Sequence, residues 1–223
     1  MDKVLLKYDP LFRAAVEKLP DLHVKLQEGN RKTGNSVWTV SLMPVVDCCN
    51  CSGCRKKCYD LKHDVIMTPV LKDRVRNSAI HRFDPVRYWH EVGDGIERHG
   101  VKFLRINVGG DMTDRDFDYV AVLASMHPET EFLFFTKNYR GLNIRVRENG
   151  MMPSNVHAIV SRWPGMPCRN PYGLPEAHVR MRDGTTTAPK DAIECNGNCS
   201  ACAETKNGCF GLARYQSVVF DEH

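Results

Sequence analysis

Val101-Lys102-Phe103-Leu104-Arg105-Ile106-Asn107-Val108-Gly109-Gly110-Asp111 is the stretch that decides the fold. Its β-branched and aromatic residues predict a strand from Val101 to Val108 that runs straight into a glycine turn. Thr113-x-x-Asp116 follows, a capping-box pattern with Asp in place of the usual Glu, and Phe117, Val120, Ala121 and Ala124 supply the buried stripe of the next helix. Glu131 to Thr136 is the next predicted strand, and its run of Phe132, Leu133, Phe134 and Phe135 suits a parallel strand covered on both faces. A further strand spans Val156 to Ser161. Upstream, Val37 to Met43 predicts a strand, and helices are expected over Leu11 to Lys18, over Thr68 to Ile80, and from Asp84-Pro85 onward. In that last helix Asp84 suits the N-cap and Pro85 the first turn, with Val86, Trp89, Val92 and Ile96 facing the core. Strands alternating with helices imply an α/β fold of right-handed βαβ units, a parallel sheet or barrel.

The 223 residues suffice for a real core. Residues 1–35 read as a short helix and polar lead-in, and 36–165 as the α/β body. After Trp163 the pattern loosens, so 166–223 reads as a cysteine-rich C-terminal appendage with short strands near Ala177 to Met181 and Gln216 to Phe220. No run approaches the ~18 apolar residues of a membrane span, and charges interrupt the N-terminus where a signal peptide would be apolar. A cytoplasmic protein without a membrane partner is expected. A net charge of +4 on 31 basic and 27 acidic residues does not argue for nucleic acid. The basic run Lys72, Arg74, Arg76, Arg82 and Arg87 is broken by Asp73 and Asp84, and reads as a solvated helix face.

In the cytosol, clustered cysteines bind metal or do chemistry more often than they form disulfides. Eight of the ten fall into two groups, Cys48-x2-Cys51-x2-Cys54-x3-Cys58 and Cys195-x3-Cys199-x2-Cys202-x6-Cys209. The first has the spacing of the bacterial ferredoxin run, with Tyr59 in the place of its proline. Tight runs of three or four thiols are typical of iron–sulfur clusters. Zinc, with Cys51-x2-Cys54 and Cys199-x2-Cys202 as paired knuckles, is the alternative. Cys49 also lies in the first run, leaving open which four of its five cysteines ligate. Cys49 and Cys168 read as small buried hydrophobes. The nine histidines show no pair at zinc-helix spacing.

Gly109-Gly110-Asp111 and Thr136-Lys137 end successive strands at the edge where parallel sheets place ligands, with Arg162 beside them. Lys137 and Arg162 suit a carboxylate or phosphate there. A tight βα turn with an exposed Asp is the plainer reading of the tripeptide.

A cysteine run ending in Cys58-Tyr59, then strand-Gly109-Gly110-Asp111, then strand-Thr136-Lys137-Asn138, resembles the radical S-adenosylmethionine (SAM) enzymes. The resemblance implies a partial (β/α) TIM-like barrel, a 4Fe–4S cluster on the first cysteine group, and SAM held by Gly109, Gly110, Asp111, Thr136 and Lys137. It further implies an electron donor such as a ferredoxin or flavodoxin and a small-molecule substrate. Two departures stand out: the gaps in Cys51-x2-Cys54-x3-Cys58 are the reverse of the family's, and Asp111 replaces its Glu. The sequence is also similar to a phage-encoded family named after gene product 88, through Lys32-Thr33-Gly34-Asn35-Ser36, Cys58-Tyr59, Arg105 to Asp111, Thr136-Lys137, Ser161-Arg162-Trp163-Pro164-Gly165 and the C-terminal cysteines. The expectation is therefore an iron–sulfur protein of the host cytosol with two 4Fe–4S clusters. If Cys48 does not ligate, the first cluster can serve a radical SAM-like enzyme. If it does, an electron carrier or redox sensor is expected, and a zinc-stabilised binding module is the third alternative.

Overall fold

A computed structural model describes residues 2–29 and 34–222, so Lys32 and Thr33 of the polar motif before the first strand lie outside the described residues. Seven strands form one sheet in the order β1-β2-β3-β4-β5-β7-β6, every neighbouring pair parallel. They are β1 (Val37–Val40), β2 (Phe103–Ile106), β3 (Glu131–Thr136), β4 (Val156–Arg162), β5 (Glu176–Arg180), β6 (Ile193–Glu194) and β7 (Ser217–Asp221). The sheet is open, with β1 and β6 at its edges. The α/β class and parallel strands are as expected.

Period-two alternation divides the strands between two cores. Val40, Leu104, Ile106, Phe132, Phe134, Val156, Ala158 and Val160 pack under helices α3 (Thr68–Phe83), α4 (Pro85–His99), α5 (Asp116–Met126) and α6 (Tyr139–Asn149). Val37, Leu133, Ile159, Ala177 and Val218 face the other way and meet Ala203 and Phe210 from the C-terminal cysteine segment. One face of the sheet is thus covered by helices, and the other by the segment that carries Cys195 to Cys209. β5, β6 and β7 extend the same sheet as β1 to β4, and Ala177 of β5 and Val218 of β7 are buried on its inner face.

α1 (Asp2–Glu17) is longer than expected and runs through Pro10. Tyr8, Leu11, Phe12 and Ala15 pack with Leu61, Leu71 and Val75 in a third cluster that also reaches Cys51 and Cys58. An unforeseen helix, α2 (Tyr59–Ile66), starts directly after Cys58. α4 begins as expected, with the Asp84 carboxylate accepting from the Arg87 amide at 3.0 Å. Trp89, Val92 and Ile96 are buried, but Val86 is exposed and Tyr88 takes the core position. The strand expected to reach Met43 stops at Val40, because the next amides bond elsewhere: Leu42 to the Gly109 carbonyl at 3.0 Å, and Met43 to Asp47 at 3.0 Å and Ser78 at 2.9 Å. No helix is long and apolar enough to cross a membrane among the described residues.

Candidate functional site

The first cysteine group occupies the loop between β1 and α2. Asp47 anchors this loop, accepting from the Met43 amide, the Ser78 hydroxyl at 2.6 Å and Arg82 Nε at 2.7 Å. The Val45 amide points at Cys48 Sγ, 3.3 Å away, and a short 310 turn over Arg55–Lys57 links Cys54 to Cys58. The second group begins where the Cys195 amide bonds the Val219 carbonyl at 2.9 Å, tying it to β7. Cys199 and Cys202 lie on the short helix α7 (Cys199–Glu204), capped by Asn198, whose side chain accepts from the Ala201 amide at 3.0 Å. Cys209 follows in a 310 turn, and Gly208 before it has φ +53°, where a Cβ would meet Cys202 Sγ at 2.9 Å.

These two segments, more than a hundred residues apart in sequence, converge. All eight expected ligands, Cys48, Cys51, Cys54, Cys58, Cys195, Cys199, Cys202 and Cys209, line one cavity of about 220 Å³ on the inner face of the sheet. Leu133, Phe135, Phe210 and Phe220 supply its apolar wall. Four thiols in each group are a donor set of the kind that iron–sulfur clusters and zinc take. Yet no three Cys, His, Asp or Glu side chains are drawn together tightly enough to hold a metal ion among the described residues. Burial pushes the thiols of Cys48, Cys54, Cys58 and Cys202 above the ordinary range, and that of Cys209 up to about 12, against the opposing pull of Arg105. A bound cation is what would hold such thiols deprotonated.

Cys49 departs from expectation. It is exposed, and its thiol points towards Asp111 and the Met112 carbonyl. Cys168 is half-buried against the helical core, near Arg162 and Tyr139.

The glycine turn after β2 also borders the cavity, through Gly110 and Asp111. Asp111 is buried, not exposed at a turn. One oxygen accepts from Thr136 Oγ1 at 2.6 Å and the Met112 amide at 2.7 Å, the other from the Lys137 amide at 2.9 Å. Burial raises its pKa, and these donors pull against that rise. Its carboxylate therefore ties the β2 loop to the end of β3. The two glycines are demanded by packing: a Cβ on Gly110 (φ +82°) would meet Leu42 Cβ at 2.7 Å, and one on Gly109 would meet Arg74 Cζ at 2.8 Å. Lys137 and Arg162 line the same cavity, as the strand-end placement anticipates.

Two features escape the sequence reading. Arg74, expected on a solvated face, is buried and bonds Asp60 at 2.8 Å and Asp64 at 2.7 Å, and Tyr8 donates to Asp64. Arg82 and Arg87 are likewise engaged, with Asp47 and Glu91. The second is Arg105, whose guanidinium lies 5.0 Å from the centre of the Phe135 ring, with Nη1 4.0 Å from Cys199 Sγ. A charged residue in the middle of Phe103-Leu104-Arg105-Ile106 was the available signal.

The model of a family described as gene product 88 matches residues 18–164, well over half of the chain. The chain belongs to the gene product 88 family. The match takes in the first cysteine group, the glycine turn and Thr136-Lys137, and ends before the second cysteine group, so the gene product 88 region supplies one side of the cavity and residues beyond it supply the other. No curated protein and no solved structure matches the chain.

Proposed function

We propose that this gene product 88 protein is an iron–sulfur protein carrying two 4Fe–4S clusters, one on Cys48, Cys51, Cys54 and Cys58 and the other on Cys195, Cys199, Cys202 and Cys209. The observation that carries the reading is the convergence of all eight thiols on one cavity from two distant segments. Four thiols per group suit closed clusters, whose chemistry is to take up and release single electrons, so an electron carrier or redox sensor is the reading favoured first. Cys48 bears on this directly: it lines the cavity with the other three, whereas Cys49 is exposed.

A second reading, a radical SAM-like enzyme, is favoured by Gly110, Asp111 and Lys137 lining the same cavity as the first thiols. The consecutive order β1-β2-β3-β4, with helices on one face and the cavity on the other, supports a partial barrel of that type. In this reading Cys48 does not ligate, and Thr136 and the Lys137 amide hold Asp111 in place at the site. A cluster bound there would supply the electron that cleaves SAM.

The test is iron, zinc and acid-labile sulfide per chain on anaerobically purified protein. About eight irons with matching sulfide are expected, and about two zincs without sulfide would replace this reading with a zinc-stabilised binding module. Cys48→Ser then separates the two readings: loss of the first cluster favours the electron carrier. Its retention, with cleavage of SAM to 5′-deoxyadenosine and methionine, favours the enzyme.

A further inference from the structure

Four Lys and Arg side chains line the cavity, and two of them are neutralised by carboxylates: Lys57 meets Glu222 at 3.0 Å and Arg162 meets Glu176 at 3.7 Å. Arg105 and Lys137 make no ion pair among the described residues. The carboxylates lining the cavity are already engaged. Asp60 is bound by Arg74, Asp111 by Thr136 and two amides, Asp221 by Arg180 and Glu222 by Lys57.

Arg105 is half-buried, its Nε out of solvent and without a hydrogen-bond partner. A guanidinium in such a place is costly unless a negative charge faces it. Sulfur is among the groups nearest to it, with Cys199 Sγ 4.0 Å from Nη1, and Cys209 and Tyr59 line the same cavity. Lys137 lines the cavity beside Cys48, Cys51 and Cys54 of the other group, and its carbonyl accepts from Asn50 Nδ2 of that cysteine loop at 3.2 Å.

We propose that these two cations are dedicated counter-charges, Arg105 for the group Cys195, Cys199, Cys202 and Cys209 and Lys137 for the group around Cys54, each setting the reduction potential of the cluster at its own end of the cavity. The inference rests on the two-cluster reading above. A reduced cluster carries one more negative charge than an oxidised one, so a nearby fixed cation favours reduction and raises the potential.

The experiment is a potentiometric titration of the full, anaerobically reconstituted chain with dithionite and mediators, followed by electron paramagnetic resonance, on wild type, Arg105→Met, Lys137→Met and Arg105→Lys. Arg105→Met is expected to shift one of the two cluster signals to lower potential, Lys137→Met the other, and Arg105→Lys to stay near wild type. If Arg105→Met fails to retain its clusters, Arg105→Gln carries the same expectation. Unchanged potentials in variants that keep both clusters, or both variants moving the same signal, would overturn the assignment and leave the two-cluster reading intact. A wild-type protein without iron and sulfide would overturn that reading itself.

Discussion

Replacing Asp116 by alanine removes a carboxylate that four donors share. Its Oδ1 lies 2.8 Å from His81 Nε2 and 3.0 Å from Trp89 Nε1, and its Oδ2 accepts from the Thr113 amide at 2.7 Å and the Thr113 hydroxyl at 2.8 Å. The residue is 1% exposed, so water cannot replace it without opening the packing of α3, α4 and α5. The hydroxyl can rotate to another acceptor, but the His81, Trp89 and Thr113 N–H groups cannot. At about 1–3 kcal/mol for each buried unsatisfied donor, reduced because the three share one site, the loss is about 3–5 kcal/mol. That is a large share of the ~5–15 kcal/mol stability of an ordinary domain. Burial by itself would raise the pKa of this carboxyl, but the His81 bond and charge and the two Thr113 donors outweigh it and hold the group below the ordinary range. Its folded-state pKa being depressed, the contribution is complete above the unfolded value of about 3.9 and is lost as pH falls through the folded value. Urea unfolding under reducing conditions at pH 7 measures the difference, and repetition at falling pH should show the gap between wild type and Asp116→Asn narrowing below about pH 4. A loss under about 1 kcal/mol for Asp116→Ala at pH 7 would refute the reasoning, since it would mean that the donors find other partners.

Arg74→Met should cost about 3–5 kcal/mol in the same assay, because it leaves Asp60 and Asp64 buried without their cation. Phe134→Ala, which empties a fully buried position between β3 and α5, should cost about 3–5 kcal/mol, whereas Val86→Ala on the exposed side of α4 should stay within about 0.5 kcal/mol. For the proposed clusters, Cys199→Ser should lower the iron content by about half, while Cys49→Ser, at an exposed position, should leave it unchanged.

The parts of the fold legible beforehand are those where one local signal suffices. The four consecutive apolar residues Phe132 to Phe135 bound β3 correctly, since both faces of that strand are covered. The Asp84-Pro85 start of α4 was legible for the same reason, its cap being made within one turn. Elements whose backbone partners lie far away were not. β6 is two exposed residues with nothing strand-like about them, and exists because β7 offers it a ladder. The loss of Ser41 to Met43 from β1 depends on the neighbouring Asp47 and on Gly109 and Ser78, both distant in sequence. Within the site, spacing identified the cysteines, but their meeting in one cavity is a property of topology. Asp111 stands out in the sequence for its place at a strand end, while two of the three bonds that absorb its oxygens come from the end of β3.

Because β7 threads between β5 and β6, the order in which the chain leaves the ribosome matters. Strands β1 to β4 and the first thiols can assemble while later codons are still being read. Cys195 cannot take its place until residues 217–221 have emerged, because its amide is held by Val219. During that interval the inner face of the sheet and four of its thiols stand open to solvent and to oxidants. Nascent-chain stalling before residue 217 should therefore leave the early cysteines more readily alkylated than in the released protein, with the pairing of β7 as the step that seats Cys195 at the cavity.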